Sequence, residues 1–313
     1  MATGATALGC AAILGIEDGI PLAAGSDASL DTGGGPDTAT TPDTSTGRCD
    51  PTKPFSAPVA VPELSSGAMI DDTAARLTAD ELRVAFSSSR DGGFDLYEAT
   101  RATKPGPFSN VVNVPGIDTQ AFEESDPALS SDGTVLVYTS DRPKPDGGVG
   151  GGFDLWTATR ASVSVPFGAP TSVTGANSPQ SDSYGYLAGK SLYFASNRIG
   201  DFDLYRADFA TGVATNVTGL APVNTTSQEI FPVVSADETV MYFSTARKDG
   251  GADYDIWVSV RATSAVPWST PTAVPEASSQ FNDFPSWISG DLCRLYLTQA
   301  QASGHFKVFV ASR

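Results

Sequence analysis

The sequence predicts an all-β fold, a closed five-bladed β-propeller with four-stranded antiparallel blades. One pattern, seen as FSSSRDGGFDLYEATR at 86–101, recurs five times between residue 53 and the C-terminus. Successive copies are 59, 49, 52 and 52 residues apart at their anchor positions, which are Asp95, Asp154, Asp203, Asp255 and Lys307. Residues 53–313 number 261, which corresponds to five units of about 52. No helical hydrophobic period accompanies the repeats, so they are predicted to be strands.

Each repeat divides into short strands separated by turn residues. In the second repeat the strands are predicted at 126–133, 134–140, 153–159 and 167–173, and the middle ones are rich in Val, Leu, Tyr, Phe and Thr. Four short strands at this period are typical of a propeller blade. A single sheet of this size buries little apolar surface, but blades stacked face to face bury a continuous core.

The first 52 residues differ from the repeats in composition. They contain seven acidic side chains and one basic one, Arg48, and residues 24–52 are mostly Gly, Ser, Thr, Asp, Pro and Ala. Such a segment buries too little surface to offset the entropy of ordering it, so 24–52 is predicted to be a disordered tether.

The chain start resembles a bacterial lipoprotein, with Ala7-Leu8-Gly9-Cys10 in the place of the lipobox. The resemblance implies a lipid on Cys10, with residues 1–23 as a truncated signal peptide and the start of the mature chain. The sequence departs from that family in having Ala7 where Leu is usual and in lacking a basic segment at the start. The alternative is a soluble protein with a frayed terminus.

Three motifs recur in fixed order within the repeats. In the second repeat they are PALSSDG (127–133), SDR (140–142) and DLW (154–156), and the fourth repeat matches them closely. These motifs resemble the WD-repeat-like β-propeller repeats of TolB-type proteins, over essentially all of 53–313. The first repeat departs from the pattern with Ala75 in place of proline, and the fifth lacks the arginine.

The resemblance implies how the ring closes and what it does. In a TolB-type blade the proline-containing strand is innermost, and the outermost strand comes from the next copy of the repeat. This chain begins with that outer element, Phe55 to Val61, and ends on a third strand, Phe306 to Ala311, so the first strand is expected to complete the last blade and remove a free edge. The resemblance also implies docking of protein partners, often peptidoglycan-associated ones, in or beside the central channel.

Two cysteines flank this closure. With Cys10 assigned to the lipid, Cys49 lies just before the closing strand and Cys293 opens the second strand of the same blade. A disulfide between them would contribute about 5 kcal/mol and would place the chain in an oxidising, extracytoplasmic compartment, the periplasm or the cell surface. The alternative is two unpaired side chains in a cytosolic protein.

Charge and residue types argue against several function classes. The chain has 36 acidic and 19 basic side chains and a net charge of −17, so a nucleic acid would be repelled. It contains no run of about 20 apolar residues, so membrane attachment is expected only through the lipid anchor. Nucleophilic catalysis has no support, because there is no Gly-x-Ser-x-Gly elbow and the single histidine, His305, is expected at a surface edge. We therefore predict a monomeric, non-enzymatic protein without a cofactor or metal.

A repeated arginine–aspartate pair is interpreted as structural, because one active site would not need four copies. The pairs are Arg90/Asp95, Arg142/Asp154, Arg198/Asp203 and Arg247/Asp255.

Two acid-rich turns leave calcium open as an alternative. Asp201 and Asp203 form one turn, and Asp249, Asp253 and Asp255 form the other. Alternating aspartates can supply oxygen ligands, but neither turn has an EF-hand spacing.

Carboxylates precede or begin each predicted innermost strand, and these positions converge on one mouth of the channel. A ring of acids there would attract a cation or a basic peptide segment, and nearby aromatic residues (Phe122, Tyr184, Phe231, Phe281, Phe284) would suit a peptide- or glycan-binding platform. The alternative is that the acids cap turns at strand starts. The predicted binding residues are Asp72, Glu124, Asp126, Asp182, Glu229 and Asp283.

Together these features predict a TolB-like binding propeller of the bacterial cell envelope. Its expected partner is an envelope protein, such as a peptidoglycan-associated one, or a basic peptide segment, with a glycan as another option. One alternative is a carbohydrate-active enzyme, since five-bladed propellers include glycoside hydrolases that need two or three carboxylates in the channel. Another is a structural surface lipoprotein without a specific ligand.

Overall fold

Runs rich in Val, Leu, Tyr and Phe alternate with Gly- and Asp-containing turns in the sequence, and these runs become the strands of the structure. The structure is a computed structural model that describes residues 47–119, 121–143, 152–247 and 253–313. In this part of the chain, twenty strands form five antiparallel sheets of four strands each. The predicted five-bladed propeller is therefore confirmed. The predictions for residues 1–46, including Cys10, lie outside the described residues.

The blades follow one another along the chain, and each begins with its innermost strand. Blade 1 contains β2 (Asp72–Leu77), β3 (Arg83–Ser88), β4 (Asp95–Thr100) and β5 (Ser109–Asn113). Blade 2 contains β6 (Glu124–Leu129), β7 (Val135–Ser140), β8 (Asp154–Thr159) and β9 (Thr171–Ser172). Blade 3 contains β10 (Asp182–Ala188), β11 (Ser191–Ser196), β12 (Asp203–Ala210) and β13 (Val213–Gly219). Blade 4 contains β14 (Glu229–Val234), β15 (Val240–Thr245), β16 (Asp255–Val260) and β17 (Thr272–Ala273). Blade 5 contains β18 (Asp283–Ile288), β19 (Arg294–Ala300), β20 (Phe306–Ser312) and β1 (Val59–Ala60).

Short 3-10 helices occur at Pro62–Leu64 and Pro275–Ala277, each beginning with a proline that presets its first turn. Among the described residues, no helix is long and apolar enough to cross a membrane.

The ring closes through the strand that precedes the first repeat. β1 pairs with β20, with Val59 opposite Val310, and the Ser56 N–H donates to the Ser312 carbonyl. The predicted closing strand is therefore confirmed. A disulfide joins Cys49 to Cys293, 244 positions further along the chain, with their Cα atoms 5.2 Å apart.

The propeller begins earlier in the sequence than predicted. The compact unit starts at Arg48, whereas the sequence placed the boundary at residue 53. Arg48 forms an ion pair with Asp237, and the Cys49 N–H donates to the Asp291 carbonyl. Residues 48–52 therefore belong to the propeller and not to the predicted disordered tether.

A backbone bulge interrupts the innermost strand of every blade, seen as a register shift against the second strand. In four blades the third residue of this strand has a φ between 51° and 57°, a region that residues other than glycine rarely adopt. The Asp126 N–H donates to the Ser87 hydroxyl and the Tyr184 N–H donates to the Thr139 hydroxyl, each on the preceding blade. These hydrogen bonds hold the bulge and tie neighbouring blades together.

The Ser-x-Asp motif forms the turn after the innermost strand. In blade 2, β6 ends at Leu129 and not at residue 133 as predicted. The reason is that the Ser130 hydroxyl and the Thr134 N–H both donate to one Asp132 oxygen, at 2.7 and 3.0 Å, which reverses the chain.

A second set of arginines, which the sequence analysis did not single out, joins neighbouring blades. Arg160 donates to Glu98 of blade 1 at 2.7 Å and lies 4.1 Å from the Phe167 ring. Arg294 of blade 5 donates to Glu81 of blade 1 at 2.6 Å. The first of these ion pairs is buried and the second is partly buried, and both fix the packing of adjacent sheets.

Candidate functional site

The carboxylates at the start of the innermost strands are buried, and none is exposed at a channel mouth. In four blades the arginine of the motif after the second strand pairs with this carboxylate at 2.6 to 3.1 Å. In blade 5 the arginine is absent, and the Gln299 Nε2 donates to Asp283 Oδ1 at 2.7 Å. The predicted exposed acidic ring is therefore wrong, because each carboxylate is buried against a hydrogen-bond donor of its own blade, and Asp72 pairs in addition with Lys307 of blade 5 at 3.0 Å. The five residues, all 0% exposed, are Asp72, Glu124, Asp182, Glu229 and Asp283.

Strand register explains these pairs. Glu124 lies opposite Ser140 in the ladder between β6 and β7, and Arg142 follows two residues later. The Arg142 Nη2 donates to Glu124 Oε1 at 2.6 Å and to the Ile117 carbonyl at 2.9 Å. Its guanidinium also lies 5.0 Å from the Trp156 ring centroid. The motif arginines thus bind the carboxylate of the first strand in their own blade.

The aspartates that the sequence paired with these arginines have different surroundings. Arg90 pairs with Asp72 and not with Asp95. Burial and the neighbouring Asp118 raise the pKa of Asp95 to about 7. Arg198 likewise pairs with Asp182 and not with Asp203, whose pKa is raised by burial and by nearby Asp201. In blades 2 and 4 the ion pairs of Arg142 and Arg247 are with Glu124 and Glu229, and not with the predicted Asp154 and Asp255.

Aromatic side chains of blades 3 to 5 pack against one another near the starts of the innermost strands. The Tyr184 and Phe231 rings are 4.2 Å apart, Phe231 and Phe284 are 4.6 Å apart, and Phe284 and Phe306 are 5.7 Å apart. All four side chains are buried. Tyr184, Phe231 and Phe284 therefore pack as a core and do not form the predicted open platform, while Phe122 is exposed and Phe281 is half-buried at the surface.

A cavity of about 150 Å³ lies at the opposite end, where the innermost strands finish. Because every blade contributes to its wall, this cavity sits on the central axis. We call it the channel pocket, and its wall includes Arg76, Ala128, Tyr186, Val234 and Trp287.

The rim of the channel pocket consists of small, exposed turn residues. In four blades the rim residue is the one between the serine or threonine and the aspartate of the turn that follows the innermost strand, such as Ser131 between Ser130 and Asp132, and in blade 3 it is the first residue of a two-residue turn. Side chains this small leave the mouth open. The five rim residues are Ala79, Ser131, Gly189, Ala236 and Gly290.

Arg76 is the charged residue of the channel pocket. It is 1% exposed, and its Nε, Nη1 and Nη2 atoms have no hydrogen-bond partner in the part of the chain that the structure describes. Its guanidinium lies 4.9 Å from the Tyr186 ring centroid. Burial lowers the pKa of Arg76 to about 10, so the side chain stays protonated at neutral pH. A buried cation with no hydrogen bonds is unusual, because its desolvation is costly.

Asp126, the sixth predicted binding residue, lies inside the channel and not at an exposed mouth. It is 4% exposed and accepts a hydrogen bond from the Ser125 hydroxyl at 3.1 Å. Burial raises its pKa to about 6, while the charge of Arg76 acts in the opposite direction. The two residues interact electrostatically without a hydrogen bond to the guanidinium.

One group of carboxylates in the described residues could approach a cation together. Asp95, Asp118 and Glu124 place oxygen atoms within 4.8 Å of one another, although Glu124 already pairs with Arg142. Calcium was also considered at the turn that contains Asp201 and Asp203, but among the described residues these two aspartates are not part of a group of three close ligands. Asp249 of the other acid-rich turn lies outside the described residues.

His305 lies at the strand-start end of blade 5. Its Nδ1 is 3.2 Å from Asp71 Oδ1, and a quarter of its side chain is exposed. This agrees with the predicted surface edge.

Sequence reasoning missed Arg76, although the repeats contain a signal for it. At the fifth position of the innermost strands the residues are Arg76, Ala128, Tyr186, Val233 and Trp287. One arginine among apolar residues breaks the repeat at a buried position. Residues that stabilise every blade occur at the same position in several repeats. Arg76 occurs in one repeat only, which indicates a role specific to this position.

Comparisons with known proteins show the fold. No family model matches the sequence, and no curated protein matches it. A protein from Parabacteroides distasonis assigned as a glycoside hydrolase is 14% identical, with a TM-score of 0.50 over 85% of this chain and 97% of that one. A protein assigned as TolB from Agrobacterium tumefaciens is 16% identical, with a TM-score of 0.48 over 83% of this chain and 92% of that one. TolB from Acinetobacter baumannii is 18% identical with a TM-score of 0.43, covering 78% of this chain, which spans 55% of that protein's length.

TolB proteins are thus among the structural neighbours, as the repeat motifs predicted. At these identities the likeness concerns the propeller fold and leaves activity to the site itself.

Proposed function

We propose that this chain is a non-catalytic binding propeller that works outside the cytoplasm and receives its ligand through the mouth of the channel pocket. The observation that carries this proposal is the buried Arg76, which has no hydrogen-bond partner in the described part of the chain and lies in a cavity walled by all five blades. Near the other end of the innermost strands, aromatic rings of blades 3 to 5 pack against one another as core, so the channel pocket is the better candidate for a ligand.

The disulfide supports the proposed location. Disulfides persist in oxidising compartments such as the bacterial periplasm and the cell surface, and are rare in the cytosol. The bond between Cys49 and Cys293 fastens the closing strand, so it belongs to the framework of the fold. A lipid on Cys10 remains part of the proposal, resting on the sequence alone.

Glycoside hydrolysis is the competing proposal. Retaining and inverting glycosidases use two carboxylates that flank the scissile bond, about 5 to 9.5 Å apart. The described wall of the channel pocket contains no carboxylate, and Asp126 is the one acid of the innermost strands beyond their first residues. This chemistry favours binding over turnover.

The nature of the partner follows from the charge of the pocket. A basic peptide was the expected partner of an exposed ring of carboxylates. Because those carboxylates are buried and bonded within the protein, they are not available to such a peptide. An envelope protein or a glycan remains the proposed partner, but the charge that the pocket offers to it is positive.

A mouth-blocking variant tests the proposal. Gly290 lies on the rim, has an ordinary φ, and a side chain added there would meet open space, so Gly290→Trp should fold and close the mouth. Gly93→Trp is the matched control, because Gly93 is equally open and lies in the turn after β3, at the opposite face.

The readouts are binding of the full chain to peptide and oligosaccharide arrays and chromatography of the oligosaccharides after incubation. We expect binding that Gly290→Trp loses and Gly93→Trp keeps, with every oligosaccharide intact. Equal binding by the two variants, or hydrolysis of an oligosaccharide, would contradict the proposal.

A further inference from the structure

We propose that the channel pocket recognises a single carboxylate group, with the Arg76 guanidinium as its partner. The inference rests on the proposed function, because the ligand must enter through the mouth of the channel pocket. It goes further by assigning the ligand's charge, size and head group.

Arg76 differs from the other buried arginines in its hydrogen bonding. Every motif arginine of this protein has a carboxylate at 3.1 Å or less, whereas Arg76 has no hydrogen-bond partner among the described residues. A buried guanidinium carries five N–H donors in a planar fork, and leaving them unsatisfied is unfavourable. A ligand carboxylate would accept two of these donors side by side, in the geometry that arginine favours.

The surroundings of Arg76 hold its head group in place. The Tyr186 ring lies 4.9 Å from the guanidinium, so the cation rests against an aromatic face that attracts it. Asp126 contributes a favourable charge from within the channel without bonding to the guanidinium. Arg76 can therefore stay charged and oriented before the ligand arrives.

The size and walls of the channel pocket define the rest of the ligand. Its volume is about 150 Å³, which corresponds to a cavity that holds one benzene molecule. Leu129, Val234, Trp287 and Ile288 supply apolar wall. The buried part of the ligand is therefore a carboxylate on a short apolar body.

Nearby acids limit the ligand to one negative charge. Asp126 lies near the Arg76 guanidinium, and the rim turns of blades 1 and 2 carry Asp80 and Asp132 at the surface. Hydrogen bonds from Thr78 lower the pKa of Asp80, and hydrogen bonds from Ser130 and Thr134 lower that of Asp132, so both are ionised at neutral pH. A dianion such as phosphate or sulfate would be repelled more strongly than a monocarboxylate.

Calorimetric titration of the full chain with propionate tests the inference. Propionamide has the same shape without the charge, and inorganic phosphate supplies the dianion. We expect saturable binding of propionate, at least tenfold weaker binding of propionamide, and no binding of phosphate. Arg76→Met should lower the affinity for propionate at least tenfold, and Gly290→Trp should abolish binding while Gly93→Trp preserves it.

Peptide probes distinguish the two sources of such a group. N-acetyl-Gly-Ala with a free C-terminus is compared with its C-terminal amide. If the free-acid peptide binds at least as tightly as propionate and the amide does not, the carboxylate belongs to a peptide C-terminus. If only propionate binds, the ligand is a small organic acid.

Two results would overturn the inference while leaving the proposed function intact. One is equal affinity for propionate and propionamide, and the other is full propionate binding by Arg76→Met. No saturable binding of any carboxylate at about 50 mM would overturn it as well. Failure of the proposed function would be seen separately, as array binding that Gly290→Trp does not change.

Discussion

The two ends of the central channel use the same kinds of side chain in opposite ways. Where the innermost strands begin, five buried carboxylates each have a partner in their own blade, and aromatic rings pack against one another. Where the strands finish, small residues leave a cavity, and the buried Arg76 has no hydrogen-bond partner in the described structure. At the first end the charged side chains recur in every blade and have hydrogen-bond partners. At the second end one charged side chain occurs in a single blade and has no such partner among the described residues.

The contrast between the two ends separates scaffold from site in this repeat protein. A charge that recurs in every blade with a bonded partner stabilises the blade, and removing its partner damages the fold. A charge that occurs once, buried and unpaired, lowers stability and needs another reason to be present.

Removing the disulfide should have the largest effect. It fastens the closing strand near the turns that surround the channel pocket, and it links residues 244 positions apart. In the chain-entropy model a loop of this size contributes about 5 kcal/mol to the free energy of unfolding. The variant Cys49→Ser with Cys293→Ser should lose up to that amount in urea unfolding. As a control, reductant should destabilise the wild-type chain and leave the double variant unchanged. Equal stability of the two proteins without reductant would show that the closing strand needs no covalent link.

Glu124→Ala tests the paired end of the channel. It leaves Arg142 mostly buried without its carboxylate, so the free energy of unfolding should fall by about 3 to 5 kcal/mol. Asp201→Ala is the control, because Asp201 is exposed, and its change should stay within about 0.5 kcal/mol. If both variants unfold at the same urea concentration, the carboxylates at this end are not scaffold.

Blade 5 offers a test by pH, because Asp283 has a glutamine partner and no arginine. Burial raises the pKa of Asp283 to about 6, above the ordinary value of about 4 in an unfolded chain. Between these values the folded chain holds a proton that the unfolded chain has released, so stability falls as pH rises from about 4 to about 6. The asparagine of Asp283→Asn cannot titrate. Between pH 4 and pH 6 the free energy of unfolding, measured with urea, should therefore fall by about 2 kcal/mol less in this variant than in the wild type.

Asp132→Asn is the control for this titration. Hydrogen bonds to Ser130 and Thr134 lower the pKa of Asp132, so its contribution is lost only as pH falls below about 4. The variant should keep the wild-type decline between pH 4 and 6. A decline in Asp283→Asn as large as in wild type would mean that Asp283 is not the titrating group.

Most of the fold was predictable from the sequence because it is repeated. The spacing of the copies, the turn residues and the placement of the first strand predicted five blades and their closure. The bulge in each innermost strand was not predicted, because Ala74, Asp126, Tyr184 and Phe231 share a backbone conformation but no residue type.

Less of the site was predictable, because charge in a sequence does not indicate burial. Glu124 and Asp283 were correctly placed at the start of innermost strands, but whether they face water depends on the strand opposite. The carboxylate stands 16 residues before the residue that opposes it in the first, second, fourth and fifth blades, as with Glu124 and Ser140. Counting along this hairpin would have revealed the ion pairs, and Arg76 would then have remained as the unexplained charge.

Thermal unfolding of the wild-type chain and of Arg76→Met, each with and without propionate, tests the central claim that Arg76 is kept for a ligand and not for the fold. Without propionate, Arg76→Met should be as stable as wild type or more stable, because it removes a buried charge that has no hydrogen-bond partner among the described residues, and the nearby Asp126, whose pKa burial raises to about 6, can take up a proton. Propionate at ten times its dissociation constant should raise the stability of the wild type by about 1.4 kcal/mol and leave Arg76→Met unchanged. A large loss of stability in Arg76→Met without ligand, or an equal rise in both proteins, would contradict the claim.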